Sequence, residues 1–263
     1  AIKEDGSVVT WGGDNYGGDS STVASDLSSG VTSIVGTSQA FAAIKADGSV
    51  VTWGHSSNGG DSSSVDLSSG VSSIVGNDYA FAALKSDGSV VTWGRDSSGG
   101  DSASVASGLS SGVSSIVGTS HAFAALKEDG SVVTWGVSDY GGDSSSVESS
   151  LSSGVSSIIS TDYAFAALKS DGSVVTWGYA DYGGDSASYN YGVDLSSRVS
   201  SIVGNDYAFA AIKTDGSVVT WGDAGSGGDS SSVADSLTNV SSIVSNNLAF
   251  AAIKADGSVV TWG

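Results

Sequence analysis

The residues best placed to do chemistry are acidic, and they recur. Asp19, Asp61, Asp101, Asp143, Asp185 and Asp229 each close a Gly-Gly-Asp triplet. Calcium takes roughly six to eight oxygen ligands. A glycine-rich loop with an aspartate and nearby serines can supply some of them, so these six are the candidate metal ligands. Their spacing matches neither an EF-hand loop nor the glycine-rich calcium nonapeptide. A second series, Asp5, Asp47, Asp87, Asp129, Asp171, Asp215 and Asp256, stands in Asp-Gly pairs. Calcium is one reading of it. Turn chemistry is the other, since aspartate tolerates the left-handed region and hydrogen-bonds its own backbone. His55 and His121 occupy unequal positions in different repeats, and with no cysteine in the chain they make no zinc site. Serine, histidine and aspartate suffice for a triad on paper, but no nucleophile elbow frames a serine. The Gly-Gly pairs lack the lysine and helix start of a phosphate cradle. The sequence points away from an enzyme, and away from any cofactor other than calcium.

More telling are the positions that vary. The repeats agree almost everywhere except at the four residues after each Trp-Gly and at the residue before Ala-Phe-Ala. The first kind of position supplies Tyr16, His55, Arg95, Tyr140, Tyr179 and Tyr182; the second supplies Gln39, Tyr79, His121, Tyr163, Tyr207 and Leu248. This tyrosine-rich set reads either as a surface for a protein or glycan or as drift on exposed loops.

A hairpin must hold these positions in place. The stretch Phe41–Gly54 sets two short apolar runs around Asp47-Gly48, a pair that signals a two-residue turn. Such a turn predicts Lys45 opposite Val50, Ile44 opposite Val51, Ala43 opposite Thr52 and Ala42 opposite Trp53. Ala42, Ile44, Val51 and Trp53 then share one face, and Phe41, Ala43, Val50 and Thr52 the other. Both faces are largely apolar, so the hairpin is expected to be covered on both sides. A lone hairpin is marginal in water. The cover is more of the same: Trp11, Trp53, Trp93, Trp135, Trp177, Trp221 and Trp262 recur at spacings of 40 to 44 residues, the mark of a solenoid, propeller or array. Each buried large side chain contributes roughly 1.5–3 kcal/mol against roughly 1–2 kcal/mol of backbone entropy per ordered residue, so one repeat cannot stand alone. The tryptophans are therefore expected in the core, with an exposed aromatic platform as the alternative. The lysines that end each first strand, such as Lys45, are expected to pair with an aspartate of their own turn.

Between hairpins come Gly-Gly-Asp, a Ser-rich extended piece such as Ser62–Val65, a connection of changing length, Leu-Ser-Ser-Gly, and a strand such as Val71–Gly76. That gives four short strands in about 42 residues, the size of one propeller blade. Length varies just before Leu-Ser-Ser and is greatest at Tyr189–Asp194, so this connection is expected to face solvent. Seven hairpins flank six intervening segments, which favours seven blades, the terminal ones incomplete. The expected fold is all-β: a seven-bladed β-propeller of four-stranded repeats, one repeat domain over residues 1–263. Equivalent loops of a propeller gather on one face.

Charge narrows the partners. Nine basic residues against 28 acidic ones leave a net charge of −19. Nucleic-acid binding needs phosphates neutralised by lysine and arginine, so it is excluded, as is an anionic membrane surface. No apolar run nears the roughly 20 residues that span a bilayer. Without cysteine there are no disulfides. Ala1-Ile2-Lys3 matches Ala43-Ile44-Lys45, so the chain is expected to be a segment of a longer polypeptide whose targeting signals lie elsewhere. Acidic, Ser/Gly/Asp-rich, near-identical arrays suit an extracellular or cell-surface module. In the cytoplasmic alternative the acidity serves solubility.

Val113–Gly118, His121–Leu126, Asp129–Gly136 and Tyr140-Gly141-Gly142-Asp143 together resemble the repeat of the regulator of chromosome condensation family. The resemblance recurs over nearly the whole chain and implies a seven-bladed β-propeller. Gly-Gly-Asp stands where that family has Gly-Gln-Leu-Gly, and the leading histidine survives at His121 alone. The fold is carried over and the exchange activity is not. In composition the chain is similar to bacterial surface proteins with long arrays of such repeats. The expected role is a non-catalytic scaffold, adhesion or binding module whose partner is a protein, a glycan or another copy. An intracellular regulator resembling a GTPase exchange factor is one alternative, with Tyr189–Asp194 as its asymmetric loop. A calcium-stabilised extracellular repeat is the other.

Overall fold

The computed structural model describes residues 1–188 and 193–263; of the expected long loop Tyr189–Asp194, residues 189–192 lie outside the described residues. The chain clusters into two compact units, Ala1–Glu128 with Val133–Val137, and Asp129–Val132 with Ser138–Gly263. The first holds three three-stranded antiparallel sheets: β1 (Val31–Gly36), β2 (Ala40–Lys45) and β3 (Val50–Gly54); β4 (Val71–Gly76), β5 (Ala80–Lys85) and β6 (Val90–Gly94); β7 (Val113–Gly118), β8 (Ala122–Lys127) and β9 (Val132–Gly136). The second holds β10 (Val155–Ser160), β11 (Ala164–Lys169) and β12 (Val174–Gly178); β13 (Val199–Gly204), β14 (Ala208–Lys213) and β15 (Val218–Gly222); β16 (Val240–Ser245), β17 (Phe250–Lys254) and β18 (Val259–Trp262). Strands run in chain order within every sheet.

The hairpin forms, with its register one residue from the expectation. Phe41 faces Trp53, Ala43 faces Val51, and Ile44 faces Val50. The loop has three residues rather than two: the Lys45 amide donates to Ser49 O at 2.9 Å and the Gly48 amide to Lys45 O at 2.9 Å. Gly48 is left-handed at φ +77° while Asp47 is not, so one left-handed residue follows an ordinary turn. Asp47 holds this turn through Oδ1, which accepts the Ser49 amide at 2.9 Å and the Ser49 hydroxyl at 2.6 Å. A one-residue slip exchanges the faces of one strand. Phe41, Ala43, Val51 and Trp53 therefore share a face, and Ala42, Ile44, Val50 and Thr52 share the other.

The leading strand carries a β-bulge between Val71 and Ser73. The residue skipped by the ladder repairs it: Ser72 Oγ donates to Leu84 O at 2.9 Å. Thr32, Ser114, Ser156, Ser200 and Ser241 do the same for their own sheets.

Sheets within a unit stack face to face. Ala40, Ala42 and Ile44 of β2 lie against Leu67, Val71, Ile74, Phe81 and Trp93 of the next repeat. Ala208, Ala210 and Ile212 meet Leu237, Val240, Ile243, Phe250 and Trp262 in the same way. The small alanines make room for the neighbour's rings, and each phenylalanine stacks on its own tryptophan, as in Phe81–Trp93 at 5.1 Å. Gly-Gly-Asp is part of this joint. The Trp93 indole N–H donates to Gly59 O at 3.0 Å. Gly59 has φ +100°, and a Cβ on it would stand 2.5 Å from the Phe81 ring. Trp53, Trp135, Trp177, Trp221 and Trp262 donate to Gly17, Gly99, Gly141, Gly183 and Gly227. Six tryptophans are thus core residues, as expected.

Other expectations are corrected. Trp11 is 73% exposed: among the described residues no phenylalanine ring stacks on it and no carbonyl accepts its indole N–H. The first hairpin is an isolated bridge, Ile2 with Val8, so six sheets form among the described residues. The Ser-rich piece is no fourth strand: it turns as short 3-10 segments such as Ser21–Val23 and Ala103–Val105, since the Gly-Gly-Asp carboxylate caps it locally. The lysines reach back to the connection before their own sheet. Lys45 Nζ donates to Asp26 O at 3.0 Å and Lys169 Nζ to Ser150 O at 2.8 Å, while Lys213 meets the Asp194 carboxylate at 3.2 Å. No helix among the described residues is long and apolar enough to cross a membrane.

Candidate aromatic binding site

The two kinds of variable position form one site within each repeat, because the backbone joins them. The amide of the first residue after Trp-Gly donates to the carbonyl of the residue before Ala-Phe-Ala: His55 to Gln39 at 2.8 Å, Arg95 to Tyr79 at 2.9 Å, Tyr179 to Tyr163 at 3.0 Å. A buried or half-buried threonine or asparagine then ties the two loops together. Asn77 Nδ2 donates to Ser98 O at 2.7 Å, while Asn77 Oδ1 accepts the amides of Tyr79 and Ala80. Asn205 does the same with Ser226, Tyr207 and Ala208. Thr37 and Thr161 serve with their hydroxyls. Sequence reasoning missed these positioning residues. Their signal was a threonine or asparagine kept in every repeat two residues before the variable position.

Neighbouring loops are also sewn together. Within the first unit, Ser38 N donates to Asp78 O at 3.1 Å and Asp78 N to Ser120 O at 3.3 Å; within the second, Asp162 N donates to Asp206 O at 3.0 Å and Asp206 N to Asn247 O at 3.2 Å. These bonds hold the residue that follows each of them in a row, and aromatic residues there stack.

In the second unit the outcome is a cluster of five tyrosines. Tyr163 lies at its centre, with ring centroids 4.6 Å from Tyr182, 5.2 Å from Tyr140, 5.6 Å from Tyr207 and 6.4 Å from Tyr179. Tyr182 is 5.3 Å from Tyr207 and 5.2 Å from Tyr179. Tyr179 is exposed and the others half-buried. Burial, followed by the neighbouring phenols and Asp162, pushes the Tyr163 hydroxyl above its ordinary pKa. A phenol hydroxyl can donate or accept a hydrogen bond. The first unit gathers a smaller set. Tyr79 and His121 stack at 5.0 Å, and the Arg95 guanidinium sits 4.0 Å above the Tyr79 ring. Burial lowers the His121 pKa, and Asp78 works against that shift. Ser98 Oγ is 3.4 Å from His121 Nδ1, but Ser98 is buried and its hydroxyl helps fix the ring. Gln39 accepts from Asn58 Nδ2 at 2.7 Å, and Asn58 Oδ1 is left buried without a partner. Tyr16 and His55 are exposed and join no ring cluster among the described residues. Leu248 is exposed beside Asn247.

The acidic candidates are used locally. Each Gly-Gly-Asp carboxylate accepts the backbone amide two residues on: Asp19 from Ser21, Asp61 from Ser63, Asp101 from Ala103, Asp143 from Ser145, Asp185 from Ala187 and Asp229 from Ser231. Hydrogen bonds from that serine hold the carboxyls of Asp19, Asp61 and Asp143 below the ordinary range. Each stands in a different repeat, and among the described residues no three acidic or histidine side chains converge as a metal would need.

No family model matches this sequence, and no curated protein does. Solved structures do. The chain is similar to the CRINKLY WD40 ectodomain of the Arabidopsis thaliana receptor kinase ACR4, with a TM-score of 0.50 at 17% identity over 89% of this chain and 79% of that one. It is similar to yeast RCC1 (Prp20), solved with Kap60 bound, with a TM-score of 0.52 at 16% identity over 89% of this chain and 70% of that one. A further match is Prp20p from Saccharomyces cerevisiae, with a TM-score of 0.50 at 15% identity over 89% and 72%. At such identities the likeness speaks for the fold: all-β, of the RCC1-like propeller kind.

Proposed function

We propose that this chain is a non-catalytic binding module, a single propeller-type repeat domain whose seventh and incomplete blade is the Ile2–Val8 hairpin. Its partner is a protein, held on the loops after Trp-Gly and before Ala-Phe-Ala. The observation that carries this reading is the convergence of Tyr140, Tyr163, Tyr179, Tyr182 and Tyr207. These residues differ between repeats whose frames are almost identical, and the frame does not need them for packing. Tyrosine gives large, rigid contact area with a polar tip at low entropic cost. The likeness to Prp20, whose structures concern Kap60, Gsp1p and histones, supports a protein partner in general and no particular one. A net charge of −19 favours a neutral or basic partner surface. The acidic, repetitive composition fits a secreted or cell-surface protein.

Protein and glycan arrays probed with the chain and with Tyr163→Ala/Tyr182→Ala test the reading. Protein ligands that the double variant loses, with an unchanged circular dichroism spectrum, support it. Glycan-only binding would reassign the partner class, and ligands retained by the double variant would move the site elsewhere. Accelerated nucleotide release from a GTPase would replace it with the regulator reading.

A further inference from the structure

One tyrosine of the first unit already carries a cation. The Arg95 amide donates to Tyr79 O at 2.9 Å, and the Arg95 guanidinium sits 4.0 Å above the Tyr79 ring, whose negative face attracts it. The second unit keeps the backbone bond and changes the residue. The Asp223 amide donates to Tyr207 O and the Tyr179 amide to Tyr163 O, both at 3.0 Å. Asp223 and Tyr179 thus take the place of Arg95. Where the first unit sets its own guanidinium on a tyrosine, the second offers an aspartate for one tyrosine and a further ring for the other. Asp223 Oδ2 accepts the Ser226 hydroxyl at 2.7 Å, which steadies the carboxylate on its loop.

The surroundings are acidic as well. Tyr140, Tyr163, Tyr182 and Tyr207 each directly follow an aspartate. The basic residues of this unit stand at the opposite end of its sheets. Lys169, Lys213 and Lys254 end β11, β14 and β17, and Arg198 precedes Val199, which pairs with Lys213. Tyr163 and Tyr207 stand just before the start of β11 and β14, so a strand at about 3.3 Å per residue puts roughly 20 Å between the two ends. Lys169 and Lys213 are also engaged there, with Ser150 O and the Asp194 carboxylate. The rings do not close into one stack: Tyr179 meets Tyr163 at 71° and Tyr182 meets Tyr207 at 58°.

We propose that the partner puts an arginine side chain into this cluster, its guanidinium on the Tyr182 and Tyr207 rings and against the Asp223 carboxylate. The proposal rests on reading the tyrosine loops as a protein-binding site and names the chemistry that this site takes. A guanidinium is planar and weakly hydrated, so it stacks on a ring while its edge donates to a carboxylate. A lysine ammonium is compact and strongly hydrated and does both less well.

Isothermal titration of the full chain with a capped Gly-Ser-Arg-Gly-Ser-Arg-Gly peptide tests this, beside the same peptide carrying lysine, or the neutral isostere citrulline, in place of both arginines. The arginine peptide is expected to bind about fivefold tighter than the lysine peptide, and the citrulline peptide not to bind. Tyr182→Leu/Tyr207→Leu should abolish the preference for arginine, and Asp223→Asn should weaken the arginine peptide about fivefold, each with an unchanged circular dichroism spectrum. Arginine and lysine peptides bound alike, and weakened together by salt, would show attraction to the net charge of −19 alone and would overturn the proposal. No binding of the arginine peptide, a preference that the tyrosine variant retains, or an Asp223→Asn chain that binds as the native one does would overturn it too. If the proposal fails while Tyr163→Ala/Tyr182→Ala still loses its array ligands, the protein-binding reading stands with a partner that does not use arginine. If those ligands are kept, both readings fall.

Discussion

Two sets of aromatic rings share this molecule, and they live under different constraints. The phenylalanine–tryptophan pairs occur once per sheet, stack at 5.1–5.4 Å, and send each indole N–H to a glycine carbonyl of the preceding repeat. The tyrosines of the variable loops differ from repeat to repeat, are half-exposed, and touch mostly one another. A ring fixed by the joint between sheets cannot change without loss of that joint. A ring on a loop whose backbone is held by Asn77, Thr161 or Asn205 can change freely. The frame gives stability and the loops give recognition, and the two are separable by substitution.

The largest break in that contrast is expected at a frame tryptophan. Trp177 is 2% exposed, stacks on Phe165 and donates to Gly141 O. Trp177→Ala should cost about 3–5 kcal/mol, read as a lower urea midpoint. Next comes the glycine that receives the rings. Gly59→Ala would force a φ of +100° on an L-residue and press a methyl into Phe81. A loss of about 1–3 kcal/mol is expected, whereas Ser57→Ala, two residues earlier on the loop, should change little.

A smaller effect should follow pH. Hydrogen bonds from Ser196, followed by Lys213, hold the Asp194 carboxyl down at about 2, below the roughly 3.9 of a free aspartate. A lowered native pKa means stability that is present above the unfolded value and is lost as pH falls through the native one. The stability gap between the native chain and Asp194→Asn should be full at neutral pH and should close between about 4 and 2. The smallest effect belongs to the exposed tryptophan. Trp11→Ala in dilute solution should shift stability by no more than about 0.5 kcal/mol, although the sequence presents Trp11 as the equal of Trp177.

That last contrast shows what the residues revealed and what they withheld. The period, the all-β class and the core role of the frame tryptophans follow from spacing alone, because identical units can bury apolar faces only on one another. The tyrosine loops were visible as the positions that vary. That equivalent loops gather was expected of a propeller; which of the rings stack was not, because the hydrogen bonds that align neighbouring loops run backbone to backbone and leave no residue-type trace. The hairpin register was misread because Asp-Gly serves a two-residue turn and a three-residue loop alike, and Ser49, which closes the latter, is an ordinary turn residue. Lys45 was assigned to its own Asp47, its neighbour in sequence, whereas the sheet aims it at Asp26 O. Trp11 was misjudged since burial depends on a neighbour that the residue itself does not carry.

The most direct measurement of the separation between frame and loops compares Trp177→Ala with Tyr163→Ala/Tyr182→Ala, recording an unfolding curve and a titration of an array-selected protein ligand for each. The account predicts that the tryptophan variant unfolds at clearly lower urea. It predicts that the tyrosine pair keeps the native midpoint to within about 1 kcal/mol while losing the ligand. A tyrosine variant that unfolds as readily as the tryptophan one, or that binds as the native chain does, would contradict it.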